Sequence, residues 1–292
     1  DLTITSGNDI KLAVGAAGSV HSSGSAGTSN TVLGIDAGAI LHANSDFNVF
    51  IGDTVADATM TATADSNTGV GYAALGALTS GNRNTAVGKD AFIALTTGQY
   101  NVAIGYDAGT ALVGGTHNVI IGDSAGIATT TVDKAVIIGQ AAGGGVLTAD
   151  ADGTIAIGVE AGNSLTSGQK NVALGYQALT ANTQGDNSVA VGYQSLLAQN
   201  GVDGEYSNTA VGTHSGKAIT TGKYSVAIGF EALLKEDVGN FSTALGYASL
   251  YSQNTASDGT TGNTGLGAYT GLYNVTGTNN TYVGFNAGLG AT

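Results

Sequence analysis

The chain has 292 residues, including 48 glycines but no proline or cysteine, and a formal net charge of −13. The missing cysteines exclude disulfides, zinc–thiolate sites and thiol catalysis, and an acidic chain with eight Lys and Arg residues argues against nucleic acid or anionic lipid as a partner. No apolar stretch approaches the roughly 20 residues that span a bilayer, so we expect no membrane insertion. Four scattered histidines offer little for a metal, and we expect no cofactor.

In chain order, residues 1–29 form an N-terminal segment that leads into a repeat, residues 30–288 carry the repeat, and residues 289–292 are the end of the chain. The phrase LAVG at 12–15 resembles a degenerate further copy of the repeat. The chain starts at Asp1 and stops at Thr292 in mid-pattern, which is typical of a fragment or a processed product.

The repeat is anchored on a glycine that closes the pattern V/I-x-V/I/L-Gly. Nine of the fourteen intervals between anchor glycines are 17 residues, and the others are 18 to 21. A unit of this size is too short for a helix pair but suits one turn of a β-solenoid with two short strands and two turns. The sequence therefore predicts an all-β chain, a parallel β-solenoid (β-roll) of about 15–16 coils. The anchors are Gly34, Gly52, Gly71, Gly88, Gly105, Gly122, Gly139, Gly158, Gly175, Gly192, Gly212, Gly229, Gly246, Gly267 and Gly284.

Three apolar residues in succession precede many of the anchors. A strand with one solvent-exposed face would alternate apolar and polar residues, so a continuous run of apolar residues predicts burial on both faces of the strand. One face can fill the coil interior, but a 17-residue coil has no second layer for the other. We therefore expect this other face to pack against further copies of the chain, most simply around a threefold axis. The core and trimer candidates are Val102, Ile104, Val119, Ile121, Val172, Val226 and Ile228.

Two more positions repeat with the anchor. Four residues before it stands a polar residue, usually asparagine, and we expect these amides to bond from coil to coil as Asn ladders do in stacked strands. The asparagines that carry this prediction are Asn84, Asn101, Asn118, Asn171 and Asn208. Three residues earlier lies a second glycine, in TSG or TTG triplets, which predicts a turn with positive φ. These corner glycines are Gly27, Gly81, Gly98, Gly115, Gly168, Gly185, Gly222, Gly239 and Gly277.

An aromatic residue directly follows several anchors. Rings stacked at strand spacing mainly stabilise the stack, although such a stripe could also bind sugar. We call these residues the aromatic column: Tyr72, Tyr106, Tyr176, Tyr193, Phe230, Tyr247 and Phe285.

Carboxylates and inserted loops supply the remaining site candidates. Asp90 and Asp107 share one repeat position, so they could lie in adjacent coils, close enough for a shared cation or a carboxylate dyad. The simpler interpretation is that both are solvated carboxylates on an outer turn. Asp150–Gly153 is only part of a calcium loop. Because insertions in solenoids collect on the surface, the two longest coils, 193–211 and 247–266, give surface binding candidates. These are Asp203, Glu205, Tyr206 and Asp258.

The phrases NTAVGKDAFIALTTGQYNVAIGYDAG and YSVAIGFEALL resemble repeats of phage tail-fibre proteins, and the cores SVAIG and NVAIG resemble those of YadA-type trimeric autotransporter adhesin heads. This resemblance covers residues 30–288 and implies a parallel β-roll wound as a homotrimer.

The sequence thus favours a non-enzymatic, acidic, trimeric fibre segment of a phage tail fibre or a similar surface appendage, which gives rigid reach and host attachment through a glycan or protein receptor. A bacterial trimeric adhesin head that binds matrix or glycans is one alternative. A monomeric ice- or sugar-binding solenoid and a tailspike that cleaves polysaccharide are the others. Threonine pairs such as Thr96–Thr97 fall at turns, which counts against ice.

Overall fold

The computed structural model describes residues 2–5, 9–12, 19–21, 29–201, 204–255 and 259–290. The chain divides into two compact units, Asp1–Lys134 and Ala135–Thr292. Within the described ranges, no helix is long and apolar enough to cross a membrane.

The first unit begins with two antiparallel pairings and continues as a stack of parallel strands. Strand β1 pairs with β2, and β3 pairs with β4, both antiparallel. From β4 to β9 each strand pairs in parallel with the next strand along the chain. The strands are β1 Leu2–Thr5, β2 Asp9–Leu12, β3 Ser19–His21, β4 Thr31–Gly34, β5 Val49–Ile51, β6 Thr68–Val70, β7 Thr85–Val87, β8 Val102–Ile104 and β9 Val119–Ile121.

The second unit repeats the parallel stack and adds a small second sheet. Two-residue strands β13 and β15 pair with each other, and a single 3₁₀ turn occupies Ala149–Ala151. The strands are β10 Val136–Ile138, β11 Ile155–Ile157, β12 Val172–Leu174, β13 Gly185–Asp186, β14 Val189–Val191, β15 Gly204–Glu205, β16 Thr209–Val211, β17 Val226–Ile228, β18 Thr243–Leu245, β19 Thr264–Leu266 and β20 Thr281–Val283.

Both units are parallel β-solenoids, and their described residues form six coils in the first and nine in the second. The predicted all-β solenoid of about 15 coils with a 17-residue repeat is confirmed, but the expectation of two strands per coil is wrong for most coils. The far side of each coil turns at residues with positive φ, for example Asp107 and Gly109, so its backbone is not extended. Hydrogen bonds between coils continue there all the same, as from Phe92 N–H to Ala108 O at 3.0 Å.

Each regular strand places its middle residue inside the coil and its two neighbours outside, because successive strand side chains point to opposite faces. Ala103 is fully buried, whereas Val102 is half-buried and Ile104 is 40% exposed. The interior columns are filled by small residues at the strand and by leucines such as Leu78, Leu95 and Leu112 on the far side. Burial of the V-A-I run on both faces therefore does not occur within one chain.

The outer sides of the strands are also half-buried at the other candidates for the core, Val119, Ile121, Val172, Val226 and Ile228. We name this surface, formed by the first and third residue of each three-residue strand, the outer face.

Anchor and corner glycines are required for different reasons. The anchors have positive φ, +138° at Gly105, and a Cβ there would lie 2.5 Å from Gly122 O in the next coil. The corner glycines do not have positive φ, which corrects the prediction. At Gly168, a Cβ would lie 2.7 Å from Gly185 O, so the corner needs glycine because two backbones approach closely. Gly27 lies outside the described residues.

Candidate functional site

The predicted asparagines form a continuous ladder inside the first unit. Asn101 donates its backbone N–H to Asn84 Oδ1 at 3.1 Å, and its side-chain Nδ2 donates to the same oxygen at 3.1 Å and to Gly115 O at 2.7 Å. Asn118 repeats the pattern on Asn101, with distances of 2.9 and 3.0 Å. Every amide is fully buried and satisfied, so the ladder is a structural element and leaves no amide free for a ligand.

In the second unit the ladder is mixed, because serine replaces asparagine in three coils, and threonine and alanine replace it in one coil each. Ser188 N–H donates to Asn171 Oδ1 at 2.9 Å, and Ser225 N–H donates to Asn208 Oδ1 at 2.9 Å. Where serine is too short to reach the next partner, a buried glutamine fills the gap: Gln199 Nε2 donates to Ser188 Oγ at 3.0 Å.

One of these interior positions carries a carboxylate. Glu236 is fully buried on the far side of the coil, seven residues after its anchor, where several other coils have leucine and others have glutamine or asparagine. Its oxygens accept hydrogen bonds from Gly239 N–H at 2.9 Å, Thr255 Oγ1 at 3.1 Å and Gln253 Nε2 at 2.5 Å. The carboxyl group is therefore held by neutral donors at a corner, in a buried cluster.

The aromatic column lies on the surface, and its rings stack where two rings are adjacent. Tyr176 and Tyr193 are parallel with centroids 5.2 Å apart, and Phe230 and Tyr247 are parallel at 5.1 Å. Phe285, at the last anchor, makes an edge contact with Tyr269. Because stacked rings cover each other's faces, these pairs present mainly edges, which are poor platforms for sugar stacking.

Lys89 interrupts the aromatic column in the first unit. Its ammonium lies 5.6 Å from the Tyr72 ring centroid and 5.1 Å from that of Tyr106. It also donates to Asp90, and this hydrogen bond raises the pKa of Lys89, with smaller contributions from the charges of Asp90, Tyr106 and Asp107. The Lys89 ammonium thus already pairs with the carboxylate of Asp90, one of the two that a shared cation would need.

A second row of rings lies on the other side of the outer face, five residues before the anchors. Tyr100 stacks on His117 at 4.8 Å and accepts a hydrogen bond from Arg83 at 2.8 Å. Tyr224 stacks on Phe241 at 5.1 Å. The outer face is therefore apolar in the middle and flanked by exposed rings on both sides.

The four predicted surface residues do not form one site. Glu205 is exposed in strand β15, but Tyr206 is 1% exposed, which corrects its assignment to the surface. The Tyr206 ring packs over Gly185 and Gly201, where a Cβ would lie 3.0 and 2.9 Å from the ring, and glycine leaves the room that it needs. Asp203 and Asp258 lie outside the described residues.

The turn threonines use their hydroxyls within the solenoid. Thr79 Oγ1 donates to Thr96 O at 3.1 Å, Thr96 Oγ1 to Val113 O at 3.1 Å, and Thr166 Oγ1 to Thr183 O at 3.0 Å. These hydroxyls bond to the next coil and do not form a flat array for ice.

No metal cluster is found in the described ranges, where no three His, Cys, Asp or Glu side chains are arranged to hold an ion. Asp150 and Asp152 of the partial calcium loop are exposed beside the 3₁₀ turn.

The structure also shows a groove that the repeat pattern does not reveal. Tyr247, Tyr251, Tyr269 and Tyr273 line it, although only Tyr247 belongs to the aromatic column. The other three occupy different positions relative to their anchors, so no periodic signal brings them together in the sequence.

The family model of the YadA head domain repeat matches the chain in two copies, at residues 167–195 and 216–232. Both copies fall in the second unit and include the strands β12, β14 and β17 or their flanking turns. The predicted resemblance to YadA-type head repeats is confirmed. Searches among curated proteins and solved structures gave no match.

Proposed function

We propose that the chain is a homotrimeric, adhesin-like fibre segment of a surface appendage, which holds attachment contacts away from the surface that carries it. The observation that supports this proposal most directly is the outer face. Leu174, Ile104 and Leu245 are each about two-fifths exposed in the single chain, at the third position of strands whose backbones are paired on both sides. Contiguous apolar surface of this kind is typical of protein interfaces.

A threefold arrangement supplies the missing layer economically. Each chain places its outer face toward the axis and covers the faces of the other two, and the flanking rings add aromatic contacts at the edges. The YadA head repeat supports the same assembly. Three chains would also present each surface contact three times, so that weak contacts combine into useful avidity.

Two carriers fit such a segment, and both place it outside a cell. The YadA head repeats favour a bacterial adhesin, whereas the longer phrases resemble phage tail fibres. A membrane anchor in the same gene would favour the adhesin, and a self-cleaving chaperone domain would favour the tail fibre.

Sedimentation equilibrium at low protein concentration tests the trimer. The chain mass is 28.5 kDa, so three chains give about 85 kDa. We expect the trimer mass across the concentration range. A mass of 28.5 kDa throughout would contradict the proposal, because the outer face would then be stable in contact with water.

A further inference from the structure

The groove beside the last coils of the second unit differs chemically from the rest of the surface. It encloses about 330 Å³, at the low end of the size range for small-ligand sites. Tyrosines are four of its nine lining residues, and a carboxylate, an ammonium and a serine hydroxyl lie among them. The lining includes Glu231, Lys235, Tyr251, Ser252, Tyr269 and Tyr273.

Apart from Tyr247, which also stacks on Phe230, the tyrosines of the groove do not belong to the stacked pairs of the aromatic column. Tyr247 and Tyr269 meet edge to face, with centroids 5.1 Å apart and planes at 64°. In the described part of the chain, no aromatic ring stacks on Tyr251 or Tyr273. Tyr273 is 48% exposed, and the Lys235 ammonium lies 5.0 Å from the Tyr251 ring centroid. Lys235 thus covers one face of Tyr251, while the ring of Tyr273 is exposed, so the groove keeps aromatic surface available that the stacked pairs consume.

The polar groups of the groove favour an uncharged ligand. Glu231 and Lys235 contribute one charge of each sign, and the chain as a whole carries −13, which repels anions. The neighbouring Tyr269 raises the pKa of Tyr247, as do desolvation and Glu231, so a negative charge on this phenol is disfavoured in the groove.

We propose that this groove binds a short neutral oligosaccharide. Tyr251 and Tyr273 would pack against the apolar faces of the sugar rings, while Glu231, Lys235 and Ser252 would bond to its hydroxyls. A protein partner fits less well, because a stable protein interface buries upwards of about 1,000 Å². The site goes beyond the proposed fibre function and does not depend on the trimer.

Saturation-transfer NMR on the whole chain tests the proposal with defined probes: lactose and N,N′-diacetylchitobiose as neutral sugars, and 3′-sialyllactose as an anionic one. We expect transfer to a neutral probe. The double variant Tyr251→Ala/Tyr273→Ala should weaken binding about tenfold, from the loss of aromatic contacts. The single variant Tyr273→Ala removes only one exposed ring, so it still tests the loss of sugar binding if the double variant does not fold.

The matched control is Tyr176→Ala/Tyr193→Ala, which removes two exposed rings of the same unit that stack on each other. It should leave the neutral-sugar signal unchanged. The proposal is overturned if neither neutral probe receives saturation, if only 3′-sialyllactose does, or if both ring pairs have the same effect. The solution mass of the same sample separates the two proposals. A monomer that binds lactose would support the sugar site and contradict the trimeric fibre, whereas a trimer that binds no sugar would support the fibre and overturn the sugar site.

Discussion

A single coil holds four residues at positive φ, and they are not equivalent. Around Gly105 these residues are Tyr100, Gly105, Asp107 and Gly109. Non-glycine residues are tolerated near φ +55°, at a cost of about 1–2 kcal/mol each, because the left-handed region is accessible to them. The anchor is different, since its missing Cβ also makes room for the carbonyl of the next coil.

The change Gly105→Ala should destabilise the fold by about 3 kcal/mol or more, because the new Cβ meets Gly122 O at 2.5 Å and φ is +138°. Urea unfolding followed by circular dichroism measures the loss. Gly114→Ala is the control, since its nearest neighbour would be Thr97 Oγ1 at an ordinary 3.5 Å, and it should cost less than about 0.5 kcal/mol. Equal costs for the two variants would contradict this account of the anchor.

The asparagine ladder makes a second prediction for single residues. Asn101→Ala removes the acceptor for Asn118 N–H and Nδ2 and the donor for Gly115 O, all of them buried, so we expect a loss of about 1–3 kcal/mol. Thermal unfolding measures it. Asn254→Ala changes an exposed asparagine and should have little effect. A melting temperature that falls as far in Asn254→Ala as in Asn101→Ala would mean that the ladder does not stabilise the coil.

At the level of the element, the sequence predicts the strand and the spacing of the coils but not the far side. The pattern V-A-I-Gly is local and periodic, so each strand and each anchor can be read directly from it. The pattern does not show which of the three apolar residues points into the coil interior. Alternation along the strand places Ala103 inside and Ile104 outside, and a run of apolar residues hides this alternation.

The corner sites were missed for a related reason. Tyr206 belongs to an inserted loop, and its burial depends on Gly185 and Gly201, which are separated from it in sequence but adjacent in space. The same holds for the groove, which Tyr251 and Tyr273 line together only because their coils stack. Contacts between unlike repeat positions carry no periodic signal.

The corner around Glu236 carries a prediction at this scale. Glu236→Ala would leave the donors of Gly239, Gln253 and Thr255 without their buried acceptor, and we expect a loss of about 3–5 kcal/mol. Glu236→Gln keeps the shape and one acceptor oxygen and should cost clearly less. Both are measured by urea unfolding at neutral pH. If Glu236→Ala were as stable as the parent chain, the cluster would contribute nothing to the fold.

For the whole molecule, the decisive property is that the outer face is built from side chains that the coil itself does not need. Ile104 is 40% exposed in the single chain, so a charge at this position does not disturb the coil interior. The stability of one chain and the assembly of three can therefore be separated by substitution.

Ile104→Asp should give a folded monomer, because the carboxylate would be desolvated only in the trimer. The melting profile of the coil and the sedimentation mass report the two properties separately. Val113→Asp is the control, since Val113 is also exposed, at 44%, but lies on the far side of the coil, and it should remain a trimer. A trimeric Ile104→Asp would refute the proposed role of the outer face.

The ladder of asparagines and anchors has a consequence for how such a chain changes in length. From Gly71 to Gly122 every coil is 17 residues long, and its ladder asparagine bonds to that of the neighbouring coil through the same atoms. A tandem duplication of one coil in the gene would place each new asparagine beside another asparagine and each new glycine beside another glycine. Unequal recombination can therefore lengthen or shorten the solenoid by whole coils without requiring any compensating mutation, whereas a duplication that ends within a coil would place unlike repeat positions beside each other.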